Sequence, residues 1–190
     1  MRKYKCQYGC DLPIIRKEIR ELSEGVYGYE YYDFPFCPNC GALMPSARER
    51  LENFFKVYNI HPKLEKSKQQ LLKSEFDSAV REAAIAVETS LKVKSGLDSH
   101  GFDLATRALS FEFDKTTSNI KKTPLIAINN LKTESERNEQ DGLRYMLMGY
   151  FQGVRNIYQH NSVGAGVSNA ISAVIQASFF LDILDAKTRI

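Results

Sequence analysis

Long uninterrupted apolar runs are missing from this chain. Its richest stretch, AISAVIQASFFLDIL, is broken by Gln176, Ser178 and Asp182, so a membrane span, which takes roughly 18 to 20 apolar residues, is not expected. The opening residues, MRKYKCQYGC, lack the apolar core of a secretory signal. The expected location is the cytoplasm, where paired thiols point to metal rather than disulfide. A strong charge of either sign is missing too: 26 Lys and Arg face 23 Asp and Glu, a formal +3, which neither demands nor excludes a polyanionic partner. There is no internal repeat and no low-complexity tract. Histidine is scarce, with only His61, His100 and His160.

What is present is enough for one solid core and a small satellite: 190 residues with 43% hydrophobic content. Residues 1–46 differ in texture from the rest. They hold all four cysteines, Pro13, Pro35, Pro38 and Pro45, and the aromatic run VYGYEYYDF. IIRKEIREL and VYGYEYYDF on either side of SEG predict a hairpin, with a short helix as the alternative for the first stretch. Beyond Ser46 the pattern is helical. Leu51, Phe54, Phe55 and Tyr58 predict a helix over 47–58, ended by His61 and Pro62. Apolar residues from Leu64 to Leu91 keep a period near 3.6, predicting one long helix bent around Ser74 and closed by Gly96, with Lys92 and Lys94 in its last turn. A short helix is expected at 102–110 and another after Pro124. A long helix should start near Ser135, with Glu136 and Glu139 in its first turns, and run to about Asn161. After SVGAG, the segment VSNAISAVIQASFFLDILDAK reads as a mostly buried final helix.

The cysteines fall in two pairs, Cys6 with Cys10 and Cys37 with Cys40. In CPNCG, Pro38 stiffens the turn and Gly41 allows the backbone geometry in which amides point at thiolate sulfur. CQYGC carries three residues between its ligands, one more than the commonest knuckle. Together the four thiolates predict a closed tetrahedral zinc site with no open position for water, hence a structural metal, one per chain. Four thiolates and one zinc would bring +3 to +1. The expected domains are a zinc ribbon at 1–46, a connecting helix at 47–62 and a helical domain at 63–190, so the fold class is mainly α with a small β ribbon. Tyr27, Tyr29, Tyr31 and Tyr32 could stack bases, though packing is the more ordinary use.

On the long helix, Leu143, Met146, Leu147, Tyr150, Phe151, Val154 and Tyr158 form the expected core stripe. A second stripe is Gly149, Gly153, Asn156 and His160, at steps of four, three and four. A helix-interior glycine costs about 1 kcal/mol against alanine, so two of them ask for close approach of a helix or ligand. Arg155 lies about 100° around a regular helix from Asn156, near enough to reach over the same rim. His160, in the last turn, sits where the helix dipole favours a cation.

The stretch RNIYQH resembles the R-x(4–6)-H signature of the HEPN superfamily. The wider pattern, EFDSAVREAAIAVETSLKVKSG followed by the glycine-bearing helix and RNIYQH, is similar to the bacterial Ymh-type family over roughly residues 60–188. One difference is Ile157, where such proteins often have proline, which would leave the backbone here more helical. The resemblance implies a HEPN-like helical bundle and a metal-independent endoribonuclease working as a homodimer on RNA. His160 would be the general acid or base, Arg155 the phosphate cation and Asn156 an orienting residue, with a 2',3'-cyclic phosphate product. It also implies a toxin or phage-defence role, with an antitoxin or complex partner. The alternatives are a non-catalytic RNA-binding or protein-interaction module and an adaptor docking through residues 1–46. On ordinary grounds Arg155 is a rim ion-pair partner and His160 a helix cap, and His61 and His100 are loop or cap residues.

Overall fold

The computed structural model describes Cys6, residues 8–10, Cys37, residues 39–156, Tyr158 and residues 164–186. The expected hairpin, Tyr27 to Tyr32 and His160 lie outside the described residues. The chain divides into two units, Met1–Asn59 with Leu72–Ser74, and Ile60–Leu71 with Glu75–Ile190.

In the first unit, helix α1 spans Pro45–Val57, with proline at its start where no intrahelical N–H is needed. Leu51 and Phe55 are buried, and Phe54 stacks on Tyr58 at 5.4 Å. The turn at Leu72–Ser74 is held there by Tyr8, whose hydroxyl donates to the Lys73 carbonyl at 2.7 Å, and by the Leu43 N–H donating to Ser74 Oγ at 2.8 Å.

The second unit is helical. After a 3-10 turn at Pro62–Leu64 come α2 (Glu65–Leu72) and α3 (Phe76–Ser95). The single bent helix expected over 64–94 is therefore two helices. Ser74 takes a left-handed φ of 63°, and the apolar period survives the break, so no glycine or proline announces it. Gly96 ends α3 at φ 71°, as expected. Alanines on α3 (Ala79, Ala83, Ala84) face the long C-terminal helix α6 (Val167–Ala186), whose Ala170, Ala173 and Ala177 are equally buried. Small residues let these two helices form the centre of the core. By length and composition α6 would suffice to cross a membrane, but Val174, Phe180, Leu181 and Leu184 are also buried within the unit. Its end is tied down by Asp185, which accepts from His61 Nε2 at 3.0 Å, Lys63 Nζ at 3.1 Å and Lys94 Nζ at 3.3 Å. His61 caps the 3-10 turn through Nδ1.

Helix α4 (Gly101–Leu109) falls where expected. It is followed by an unexpected antiparallel hairpin, β1 (Glu112–Asp114) with β2 (Asn119–Lys122). No helix follows Pro124. That segment stays irregular, with bends at 125–126 and 128–129, and Gln140 of α5 (Glu134–Tyr150), fully buried, takes up its backbone groups. Gln140 Oε1 accepts from Ile128 N–H at 3.0 Å, and its amide donates to the carbonyls of Ile126 and Leu109, both at 2.9 Å. Helix α5 opens with a capping box between Thr133 and Glu136. Leu143, Leu147, Tyr150 and Phe151 are buried as expected, but Met146 is half exposed.

Replacing Gln140 by Leu strands three buried backbone groups. Since each unsatisfied group costs about 1 to 3 kcal/mol, the urea midpoint should fall by the equivalent of at least about 3 kcal/mol. An unchanged midpoint would mean the amide is dispensable.

Candidate functional site

The four thiols converge. Their sulfurs all lie within 4.8 Å of one another, and Cys6 and Cys40 are 3.7 Å apart. Sulfurs about 2.3 Å from a shared zinc would stand about 3.8 Å apart along the tetrahedral edges. Each loop bends as a knuckle should. Gly9 N–H donates to the Cys6 carbonyl and Gly41 N–H to the Cys37 carbonyl, at 2.9 and 2.8 Å, and both glycines have positive φ, 83° and 69°. Tyr8 N–H points at the Cys6 sulfur at 3.4 Å. Hydrogen bonding with Cys40 and Cys6 pushes the Cys10 thiol up to about 12. For Cys6, burial pushes upward, but the backbone N–H groups of Tyr8 and Cys10 outweigh it and hold the thiol at about 7. Thiolates this close repel one another, and a dication relieves that repulsion. The donor set therefore fits zinc. Such a site would hold the two loops together and do no chemistry of its own, having no open position.

The R-N-x-x-x-H segment begins in a π turn. Helix α5 passes at Phe151 into a wider turn, Phe151–Arg155, in which Asn156 N–H donates to the Phe151 carbonyl five residues back. One extra residue per turn rotates everything after it by about 100° relative to a regular helix. The stripe expected through Gly149, Gly153, Asn156 and His160 is thus interrupted between its second and third members. Gly149 and Gly153 are exposed, and no neighbouring atom would touch a Cβ at either.

The π turn aims Phe151 and Arg155 at the start of α4. A Cβ on Gly101 would lie 3.1 Å from an Arg155 terminal nitrogen and 3.8 Å from Phe151 Cβ, and Gly101 has φ +51°. Arg155 is largely buried, its side chain 22% exposed, and its terminal nitrogen is 3.4 Å from Glu88 Oε2. Among the described residues its Nε has no hydrogen-bond partner. Asn156, next in the chain, is exposed.

Glu88 organises this corner. Its side chain is only 12% exposed, and both oxygens are used. Oε2 also accepts from Gly101 N–H at 3.2 Å, while Oε1 lies 2.8 Å from His100 Nδ1 and 3.7 Å from Lys92 Nζ. Burial pushes the Glu88 carboxyl upward, but the His100 hydrogen bond, the Arg155 charge and the Gly101 N–H outweigh it and hold it below the usual glutamate value. So the structure joins Arg155 to His100 through Glu88. His100 is the N-cap residue of α4, in keeping with its reading as a loop or cap residue, whereas Glu88 was not singled out from the sequence. The available signals were the pair Glu88 and Lys92 at helical spacing and the dipeptide His100-Gly101 before a helix, both commonplace on their own.

A mainly helical protein with a convergent cysteine quartet is thus defined. Residues 58–184 match the family described as "Protein of unknown function (Hypoth_Ymh)", and the chain belongs to that family. Comparison with curated proteins and with solved structures finds no match.

Two outcomes are expected. Metal analysis should find one zinc per wild-type chain and none in Cys37→Ala; full retention by the variant would contradict the ligand set. Because the Glu88 carboxyl is lowered on folding, its stabilisation is complete above the unfolded value near 4.3 and lost as pH falls through the lower folded value. Glu88→Gln should therefore cost about 2 kcal/mol at pH 7. Its melting temperature should also fall less steeply than that of wild type between pH 5 and 3, and parallel profiles would contradict the assignment.

Proposed function

We propose that this protein is a metal-independent endoribonuclease of HEPN type, cleaving RNA in the cytoplasm as a homodimer and serving as a toxin or phage-defence effector. The observation that carries this reading is the placement of Arg155. At the first position of R-N-x-x-x-H, a guanidinium is held by one oxygen of Glu88, whose other oxygen holds an exposed imidazole.

The chemistry follows from the residue types. RNA carries its own nucleophile, the 2'-hydroxyl, so cleavage needs proton transfer and charge stabilisation. His160 moves the proton, imidazoles being the side chains that ordinarily titrate near neutrality. Arg155 meets the charge developing on the phosphate with forked hydrogen bonds, and Asn156 orients the phosphate. The product carries a 2',3'-cyclic phosphate, and DNA resists for want of the hydroxyl. A second copy would cover the apolar groove of about 290 Å³ formed by Ile128, Leu143, Met146, Phe179 and Ile183. The zinc ribbon positions RNA or a partner, and an antitoxin restrains the activity.

A second reading is favoured by the Glu88–Arg155 ion pair itself, which occupies part of the guanidinium. In that case Arg155 only anchors phosphate, and the domain is a non-catalytic binding module.

Incubation with RNA in EDTA, with retention of the thiolate-bound zinc checked, separates the two. The nuclease reading predicts cyclic-phosphate ends, and a loss of about 100-fold or more in both Arg155→Ala and His160→Ala. Equal residual cleavage in both variants would mark contamination. Binding without cleavage, weakened and less salt-dependent in Arg155→Ala, would establish the module instead.

A further inference from the structure

The β hairpin and the first turns of α5 enclose a cleft of about 640 Å³, roughly 25 Å along the helix from Arg155. One wall is Phe111, Phe113 and Lys115, from β1 and the residues beside it. The other is a stripe on α5 at helical spacing: Glu134, Arg137, Asn138, Asp141 and Arg144.

Arg137 is the fixed point of this cleft. Its guanidinium carbon lies 3.9 Å from the centre of the Phe113 ring, and Nη1 donates to the carbonyls of Leu131 and Lys132 at 3.0 and 2.9 Å. Leu131 takes a left-handed φ of 55°, unusual for a leucine, at the turn that presents these two carbonyls. Among the described residues no carboxylate pairs with Arg137, so a guanidinium held in place on a half-buried side chain keeps Nε and Nη2 as donors beside the cleft. Lys115 adds an exposed cation, Asn138 an exposed amide that both donates and accepts, and Phe111 a half-buried ring.

The carboxylates narrow the choice of ligand. Asp141 is paired with Arg144 at 2.9 Å, but a simple polyanion would still meet Asp141 and Glu134. A nucleotide matches both signs: its phosphate suits Arg137 and Lys115, the amino groups of its base can donate to a carboxylate, and its flat base suits an aromatic ring.

We infer that this cleft holds one nucleotide of single-stranded RNA, with its phosphate on Arg137 and Lys115, its base against Phe111 and the base edge read by Asn138. This rests on RNA being the ligand, which the nuclease and the RNA-binding module share.

The test is fluorescence anisotropy with a short labelled 2'-O-methyl oligoribonucleotide, whose blocked 2'-oxygen prevents cleavage. Arg137→Ala and Lys115→Ala should each weaken binding about tenfold and lower the slope of log Kd against log salt by about one. Phe111→Ala should weaken it by about the same factor with the slope unchanged. Lys115 is exposed, so its variant should keep the wild-type melting temperature and guards against misfolding of Arg137→Ala. Wild-type affinity in both cation variants would overturn the site. Displacement of the probe by AMP at equal nucleotide concentration would make it a site for free nucleotides, and displacement by polyaspartate a site for acidic peptides; either overturns the assignment. Where RNA is cut, Arg137→Ala should raise KM and keep kcat, and unchanged KM would remove this inference while leaving the nuclease intact. Binding with these variant effects but no cleavage by the wild type would do the reverse.

Discussion

A carboxylate taken largely out of water must be compensated by cations and donors, or its burial costs several kcal/mol. Glu88 finds its compensation in three places at once: Lys92 one turn along α3, the His100 side chain and Gly101 N–H at the start of α4, and Arg155 at the end of the π turn. The position of one charge therefore fixes the angle at which α4 begins and the direction in which the end of α5 points. Gly101 completes the arrangement, because a side chain there would crowd the guanidinium. The corner is an electrostatic joint between three helices.

The main lines of the fold were legible from periodicity. α1, α4 and α6 begin and end within a few residues of the apolar and capping signals, α5 begins where its acidic first turn suggests, and Gly96 stops α3 as its type suggests. What escaped was decided by tertiary contacts. The Ser74 break leaves the 3.6 period undisturbed, so only the positive φ reveals it. The region after Pro124 looks helical by composition but is tied down as an irregular segment by Gln140, which lies on the buried stripe of Leu143, Leu147 and Tyr150 yet is polar in type. The short hairpin before it alternates Phe111, Phe113 and charged neighbours too briefly to stand out.

The candidate site was half legible. Arg155 and Asn156 were singled out from the motif, and the cysteine spacing foretold a cluster that the structure brings together. Glu88 was not singled out, and His100 was read only as a loop or cap residue, because each looks ordinary where it stands; their link to Arg155 spans more than fifty residues of sequence. The π turn was equally invisible: a single extra residue in a turn leaves no mark in composition, yet it rotates Asn156 away from its place on a regular helix.

The most direct test of this account is the tautomer of His100, read by long-range ¹H–¹⁵N correlation of its imidazole in the folded protein. If Glu88 governs the corner, neutral His100 carries its proton on Nδ1, and Glu88→Gln abolishes that preference. A neutral His100 protonated on Nε2, unchanged in Glu88→Gln, would contradict it.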